Sequence, residues 1–392
     1  MFAQTSDPGG QLSPHNIVGR DKLVAEMWTI LRGRNIYMND LRRVGKTMIL
    51  DKMQANPPAG WLVIKRDLEG CHTAAEFATQ TYRDSEELLS RTTRGLRRMR
   101  EWLGELKGAE VAGILKLPNG GVAPWKDVLR RTFSDLEEQA VAADDRVVFL
   151  WDEVPFLVDN VRRREGAATA MEILDMLRAL SQDCRRTRFV LTGSVGLHHV
   201  LTDLRSEGYS NSPLNQMERV APGPLAPEDA EFLAFELLRG AGFAGEASKA
   251  CARTVADAVG NVAFYIHKLI SRLPPGQRLD PALIEATLGW EIAHPDNDWD
   301  LAHYSNRLRL YYKEDEKLVL VILDAVAAAE TPLSFQAIWK QIGSQILFED
   351  QEHLRNLLRL LEQDHYLQRD TSRRYTFRFP LIRRWWRFDR SL

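Results

Sequence analysis

The chain has 392 residues, 44% apolar and 27% charged, with a formal net charge of -2; that length leaves room for two or three domains, each burying its own core, and the near-neutral balance does not by itself name a polyanionic partner. Three cysteines, Cys71, Cys184 and Cys251, stand far apart without a paired spacing, which argues against disulfides and a cysteine zinc site and for a reducing compartment. No run approaches the ~20 apolar residues of a membrane span, and the polar stretch from Met1 to Pro14 does not read as a signal peptide, so a cytoplasmic protein with no membrane partner is expected.

In chain order, Ile17-Val18-Gly19-Arg20 precedes a helical pattern carried by Leu23, Met27, Trp28 and Leu31, which Gly33 ends. Asn35 to Met38 reads as a short strand entering a loop, Met38-Asn39-Asp40-Leu41-Arg42-Arg43-Val44-Gly45-Lys46-Thr47, and Met48, Ile49, Leu50 and Met53 begin the helix that leaves it. A turn at Pro57-Pro58-Ala59-Gly60 leads to the strand Trp61 to Ile64. Helical periodicity covers Ala74 to Gly104, including the basic stretch Arg91 to Arg100, then loosens at Pro118-Asn119-Gly120-Gly121 before a helix from Trp125 to Gln139. The apolar run Val147-Val148-Phe149-Leu150-Trp151 reads as a buried strand closed by Asp152-Glu153. A helix from Ala167 to Asp183 and a strand Phe189-Val190-Leu191 ending Thr192-Gly193-Ser194 follow. Alternating strands and helices predict an α/β fold with a parallel sheet, and in such sheets ligands bind at the carboxyl ends of the strands, where these motifs fall.

Beyond Pro222-Gly223-Pro224 the pattern is helical: Pro227 to Leu238, Ser248 to Val259, Asn261 to Arg272 and Pro281 to Glu291, then a loop from His294 to Asp300 and a helix from Tyr304. The last unit reads as helices Glu316 to Ala328, Phe335 to Ile342 and Asp350 to Asp364, then an alternating strand pair, His365 to Arg369 and Arg374 to Phe379. Three helices followed by a two-stranded ribbon is the order of a winged helix. The expected domains are a P-loop ATPase core over residues 1–222, a helical lid over 223–300 and a winged helix over 301–392.

The tripeptide Gly45-Lys46-Thr47 is weak evidence alone, since roughly 0.2 such matches arise by chance in a chain this long. Its pairing with Asp152-Glu153 at one sheet edge carries the reading. Backbone N–H groups of Arg42, Arg43, Val44, Gly45, Lys46, Thr47 and Met48 would wrap a polyphosphate, with Lys46 along the β- and γ-phosphates, while the Arg42 and Arg43 side chains would either reach phosphate or pair with acidic residues across the sheet. Thr47 and Asp152 would hold Mg²⁺, and Glu153 would orient and deprotonate the attacking water. Thr192 and Ser194 are placed to touch the γ-phosphate or the water, or else simply to cap the strand end, and Ser194 joins Lys46 and Glu153 among the candidate catalytic residues. Asp40 stands where a full phosphate loop has its first glycine; there a backbone with positive φ would strain an aspartate, and its charge would repel phosphate unless Arg42, Arg43 or Mg²⁺ compensates.

Together these residues resemble the archaeal-type ATPase family, a member of the STAND branch of P-loop ATPases related to AAA+ proteins. The resemblance is carried by Val18-Gly19-Arg20, Arg42 to Thr47, Asp152-Glu153-Val154-Pro155, Leu191 to Ser194, Pro224-Leu225, Gly260-Asn261 before Phe264-Tyr265-Ile266, and Phe379 to Trp386. It implies an ATPase core, a helical lid and a winged helix, with Val18, Gly19 and Arg20 around the adenine. Asp40 departs from the family's loop, and Ala263 stands where its lid usually has proline. The related Orc/Cdc6 initiators carry a lid arginine near the position of Gly260; here the sequence is Gly260-Asn261-Val262-Ala263-Phe264.

From Tyr366 to Leu392 eight arginines face Asp370 and Asp389. Arg373, Arg374, Arg383 and Arg384 are candidates for phosphate contacts on duplex DNA, while the alternative has the tail aromatics in a core and the arginines in water or paired with acids. The functional expectation is an ATP- and Mg²⁺-dependent switch of low turnover that couples nucleotide state to a winged helix or a protein partner. The alternatives are a DNA-binding protein with a degenerate nucleotide site and a protein-binding scaffold in a defence or toxin-associated assembly. No pattern in the sequence sets an oligomeric state.

Overall fold

Apolar runs without alternation suit strands covered on both faces, and Val147 to Trp151 forms such a strand in the computed structural model, which describes Ser6 and residues 8–9, 12–90, 109–111, 114–116, 124–193, 197–243, 249–294 and 298–392. The chain divides into two compact units. One, the sheet unit, comprises Asp21–Asp40 and Lys46–Pro222; the other, the helical unit, comprises Met1–Arg20, Leu41–Gly45 and Gly223–Leu392.

In the sheet unit, strands β1 (Ile36–Asn39), β2 (Trp61–Asp67), β5 (Arg146–Asp152), β6 (Thr187–Gly193) and β7 (Glu218–Val220) form one sheet in the order β2-β5-β6-β1-β7, every pair parallel. A two-stranded antiparallel pair, β3 (Ala109–Val111) and β4 (Ile114–Lys116), stands apart from it. The helices are α1 (Asp21–Leu31), α2 (Lys46–Ala55), α3 (Ala74–Ser90), α4 (Trp125–Ala143), α5 (Val154–Glu165), α6 (Ala167–Asp183) and α7 (Leu197–Ser206). Successive residues of β5 point to opposite faces: Val147, Phe149 and Trp151 join one core, Val148 and Leu150 another. The first core stacks Phe149, Phe133, Trp151 and Phe189 with ring centroids 5.1 to 6.3 Å apart. Register sets Gly193 of β6 beside Asn39 of β1, and Trp151 of β5 beside Leu191, so the ends bearing the motifs share one edge.

The sheet unit departs from expectation in several places. Helix α5 directly follows Glu153, because Pro155 lies in its first turn, where a missing N–H costs nothing. The three-residue strands β3, β4 and β7 were not expected either; elements of three residues are too short to show a period. The expected helix from Ala74 is described to Ser90, and the Arg91 to Arg100 stretch and Pro118 to Gly121 lie outside the described residues.

The helical unit contains α8 (Pro227–Gly240), α9 (Lys249–Ala258), α10 (Ala263–Arg272), α11 (Pro281–Ala293), α12 (Ala302–Tyr312), α13 (Glu316–Ala328), α14 (Phe335–Gly343) and α15 (Gln351–Gln363), then β8 (Leu367–Arg369), β9 (Tyr375–Phe377) and α16 (Pro380–Asp389). Asp280, Ser334 and Asp350 cap α11, α14 and α15 by accepting backbone N–H bonds at 2.8, 3.2 and 2.9 Å. β8 and β9 pair antiparallel, and Leu333, between α13 and α14, exchanges two backbone hydrogen bonds with Tyr375 of β9 at 2.9 and 2.7 Å. Trp385 and Trp386 are buried in the same core as Ile322 and Phe377. Among the described residues no helix is long and apolar enough to cross a membrane.

Phe149 is fully buried among these aromatics. Phe149→Ala is therefore expected to destabilise the protein by about 3–5 kcal/mol in a denaturant titration.

Candidate phosphate-binding site

The site begins with a loop whose two ends are set by regular structure. β1 ends at Asn39, Asp40 follows, and Lys46 opens α2, so the first N–H groups of a ten-residue helix are left without helical partners. An N-terminus of this kind favours anions. Asp40 does not take a positive φ; the left-handed residues of the loop are Arg43, at 71°, and Gly45, at 93°. The backbone strain expected at Asp40 is therefore absent, because the turn is made three and five residues later. Asp40 is 1% exposed, and its carbonyl accepts a hydrogen bond of 2.7 Å from Nζ of Lys46, itself only 6% exposed.

At the end of β5, Asp152 is 3% exposed and its carboxylate is fully engaged. One oxygen accepts from the Thr47 hydroxyl at 2.6 Å. The other accepts from the Thr192 hydroxyl and, at 3.1 Å, from the backbone N–H of Glu153. Thr192 is fully buried, so its hydroxyl positions Asp152 rather than reaching a ligand; the expectation that it touches phosphate is corrected on that ground. Thr47 remains exposed on the rest of its surface. The hydroxyl and carboxylate are hard oxygen donors of the type that holds Mg²⁺ alongside water and phosphate oxygens, and the donor set fits that ion.

Glu153 adopts φ 56° and ψ 37° at the N-cap of α5, a left-handed conformation that costs a non-glycine residue on the order of 1 kcal/mol. Of the other candidates, Met48 and Gly45 are half-buried and Val44 is buried. Ser194 lies outside the described residues.

The upstream motif belongs to the helical unit. Arg20, 6% exposed, donates from one guanidinium nitrogen to the Val44 carbonyl at 2.9 Å and to the Gly223 carbonyl at 2.8 Å, tying the phosphate loop to the start of the helical segment. Gly19 has φ +69°, and a Cβ there would meet the Asp229 side chain at 2.7 Å. Val18 packs half-buried against the helical core. Within the same unit Arg42 and Arg43 approach one carboxylate, Asp300, at 3.0 and 3.3 Å. Pairing with an acid was one of the two expectations for Arg42 and Arg43, but no motif marks Asp300 as that acid or Val44 as the partner of Arg20, because these groups lie far apart in the chain.

The basic tail is largely engaged. Arg383 donates to the Ala327 carbonyl at 3.1 Å and to that of Ala329, closing the C-terminus of α13, and Arg384 pairs with Glu285 at 2.6 Å. Arg390 and Trp386 both bond Asp324. In this structure Arg383 and Arg384 hold α16 to α13 and α11. Arg373 and Arg374 are exposed in the turn between β8 and β9.

No protein-family model and no curated protein matches this chain. Solved structures do. The Walker-type ATPase PABY2304 of Pyrococcus abyssi is 17% identical over 97% of this chain and 99% of that one, with a TM-score of 0.65. The ORC2 protein of Aeropyrum pernix, solved as ADPNP–ADP complexes, is 10% identical over 95% of this chain and 93% of that one, with a TM-score of 0.51. At such identities the likeness speaks for the fold: an α/β core of the P-loop ATPase kind, followed by a mostly helical remainder.

Replacing Gly19 by alanine adds a methyl against Asp229 and strains a left-handed backbone. Gly19→Ala is expected to cost about 1–3 kcal/mol of stability, read as a lower denaturation midpoint at unchanged m-value.

Proposed function

We propose that the chain binds ATP as its Mg²⁺ complex and hydrolyses it slowly, as a switch of the STAND type. The observation that carries this reading is the 2.6 Å hydrogen bond from Thr47 to Asp152, which joins the residue after the loop lysine to an acid 105 positions away. That pair is the hydroxyl and carboxylate a nucleotide-bound Mg²⁺ requires, and Lys46 is buried at the same helix start.

On this reading Lys46 exchanges the Asp40 carbonyl for the β- and γ-phosphate oxygens, while the N–H groups from Arg42 to Met48 donate hydrogen bonds to the remaining phosphate oxygens. Thr47 and, mostly through water, Asp152 would hold Mg²⁺, which would supply charge neutralisation at the phosphates. Glu153, next to Asp152, orients a water on the γ-phosphate and takes its proton. Val18, Gly19 and Arg20 lie by the base, and Ser194 assists at the γ-phosphate. We read residues 1–222 as the core, 223–300 as the lid and 301–392 as the winged helix. Nucleotide state then changes what the winged helix or a protein partner meets. The backbone of Asp40 carries no left-handed strain, which supports an intact loop, and the charge of its carboxylate is left for Arg42, Arg43 or Mg²⁺ to offset.

A second reading, duplex-DNA contact, rests on the exposed Arg373 and Arg374 at the ribbon turn. Arg383 and Arg384 belong to the same reading, and to meet DNA they would exchange the bonds their side chains make within the unit.

Melting with ATP and Mg²⁺ tests the primary reading. At a ligand concentration 100 times Kd the wild type gains about 2.7 kcal/mol of stability. Lys46→Ala loses this gain, and Glu153→Gln keeps it while releasing no phosphate. Equal behaviour of wild type and Lys46→Ala would defeat the assignment.

A further inference from the structure

Asp300 is delivered to the phosphate loop by a segment built to hold it there. Its carboxylate oxygen lies 3.0 Å from Nε of Arg42 and 3.3 Å from a terminal nitrogen of Arg43. The Arg43 guanidinium also lies 4.5 Å above the Phe264 ring, which fixes its plane. Asp300 has φ 61° and Arg43 φ 71°, so both partners occupy backbone conformations that non-glycine residues avoid. Such conformations persist only where the surroundings enforce them, and they collect at functional positions.

The enforcing contacts are on the two preceding residues. Asp298 accepts from Lys268 at 2.5 Å and from Arg272 at 2.9 Å. Trp299 is fully buried, donates from Nε1 to Glu291 at 2.9 Å and stacks on Tyr265 with the rings 15° apart. Asp298 and Trp299 are thus locked to α10 and α11, and Asp300 is thrust outward toward the arginines. Half-exposed ion pairs contribute little to stability, so a strained, doubly anchored carboxylate is poorly explained as a staple.

A guanidinium fork receives carboxylate and phosphate with the same geometry. Anything that binds phosphate through Arg42 and Arg43 must therefore displace Asp300. We propose that Asp300 is a built-in competitor for the nucleotide's polyphosphate, occupying Arg42 and Arg43 until phosphate takes them and so making nucleotide capture release the Asp300 carboxylate from the loop. This rests on the nucleotide reading of the same site. Because the coupling is reciprocal, removing the carboxylate's charge must raise affinity for phosphate.

Asp300→Asn tests this with little backbone disturbance, since asparagine accepts the left-handed conformation. ATP with Mg²⁺, and separately inorganic tripolyphosphate, are titrated calorimetrically into the full-length wild type, Asp300→Asn, the Arg42→Ala/Arg43→Ala double variant and the triple variant. Asp300→Asn is expected to bind both ligands about tenfold more tightly than wild type, within the usual range of coupling. On the Arg42→Ala/Arg43→Ala background the same change is expected to alter affinity less than about twofold, because the competed donors are gone. Unchanged affinity in Asp300→Asn overturns the competition. Weakened affinity also overturns it, making Asp300 a positioning residue that presents the arginines. Failure of both wild type and Asp300→Asn to bind either ligand overturns the nucleotide reading itself, whereas binding by Asp300→Asn alone supports the competition in its strongest form.

Discussion

The carboxylate of Asp152 is the constraint on which the proposed site depends. Buried at the end of an apolar strand, it would be costly if left without donors, and three groups satisfy it: the hydroxyls of Thr47 and Thr192 and the N–H of Glu153. Each comes from a different part of the sheet edge, namely the start of α2, the end of β6 and the turn into α5. Satisfying one buried charge therefore fixes the helix that follows the phosphate loop, the neighbouring strand and the backbone of the candidate base. A hydroxyl and a carboxylate oxygen held 2.6 Å apart are also two oxygen donors of the kind a hard cation takes. Packing supplies the rigidity: the rings of Phe133, Phe149, Trp151 and Phe189 leave β5 and β6 no freedom to slide.

The loop itself is a balance of charges. Lys46, Arg42 and Arg43 bring three cations into ten residues of chain, against Asp40 alone. Two of the cations are answered by Asp300, and the lysine by a carbonyl rather than by phosphate. An arrangement in which every cation already has a partner spares the protein repulsion in the absence of ligand. Each of those partners is one that a phosphate oxygen can replace, so the same contacts that stabilise the loop set a threshold for filling it. Arg43, Glu153 and Asp300 all hold positive φ, as do six other non-glycine residues of the described chain that take no part in the proposed chemistry.

How much of this was legible in the sequence follows from the range of each interaction. The strand Val147 to Trp151 announced itself because a run buried on both faces has no polar alternation, and the loop lysine and strand-end acids because their spacing along the chain is local. The helices of the helical unit were readable from their period, although the caps Asp280, Ser334 and Asp350 that start three of them were not named from it. Strand β7 and the β3–β4 pair were not, since three residues carry no period. Helix α5 was hidden by Pro155, which reads as a break until its place in the first turn is known. The arginine-rich tail read as a candidate nucleic-acid surface because charge is visible in sequence, whereas the carbonyls of Ala327 and Ala329 that accept from Arg383 are not. Asp300 was unreadable for the same reason: its partners lie 257 positions away.

A structure of the full chain with ADPNP and Mg²⁺ tests the central claim most directly. The account predicts the triphosphate across the first turn of α2, Nζ of Lys46 moved from the Asp40 carbonyl to phosphate oxygens, and the metal touching the Thr47 hydroxyl on the side facing Asp152. Nucleotide bound elsewhere, or a metal held by residues other than these two, would contradict it.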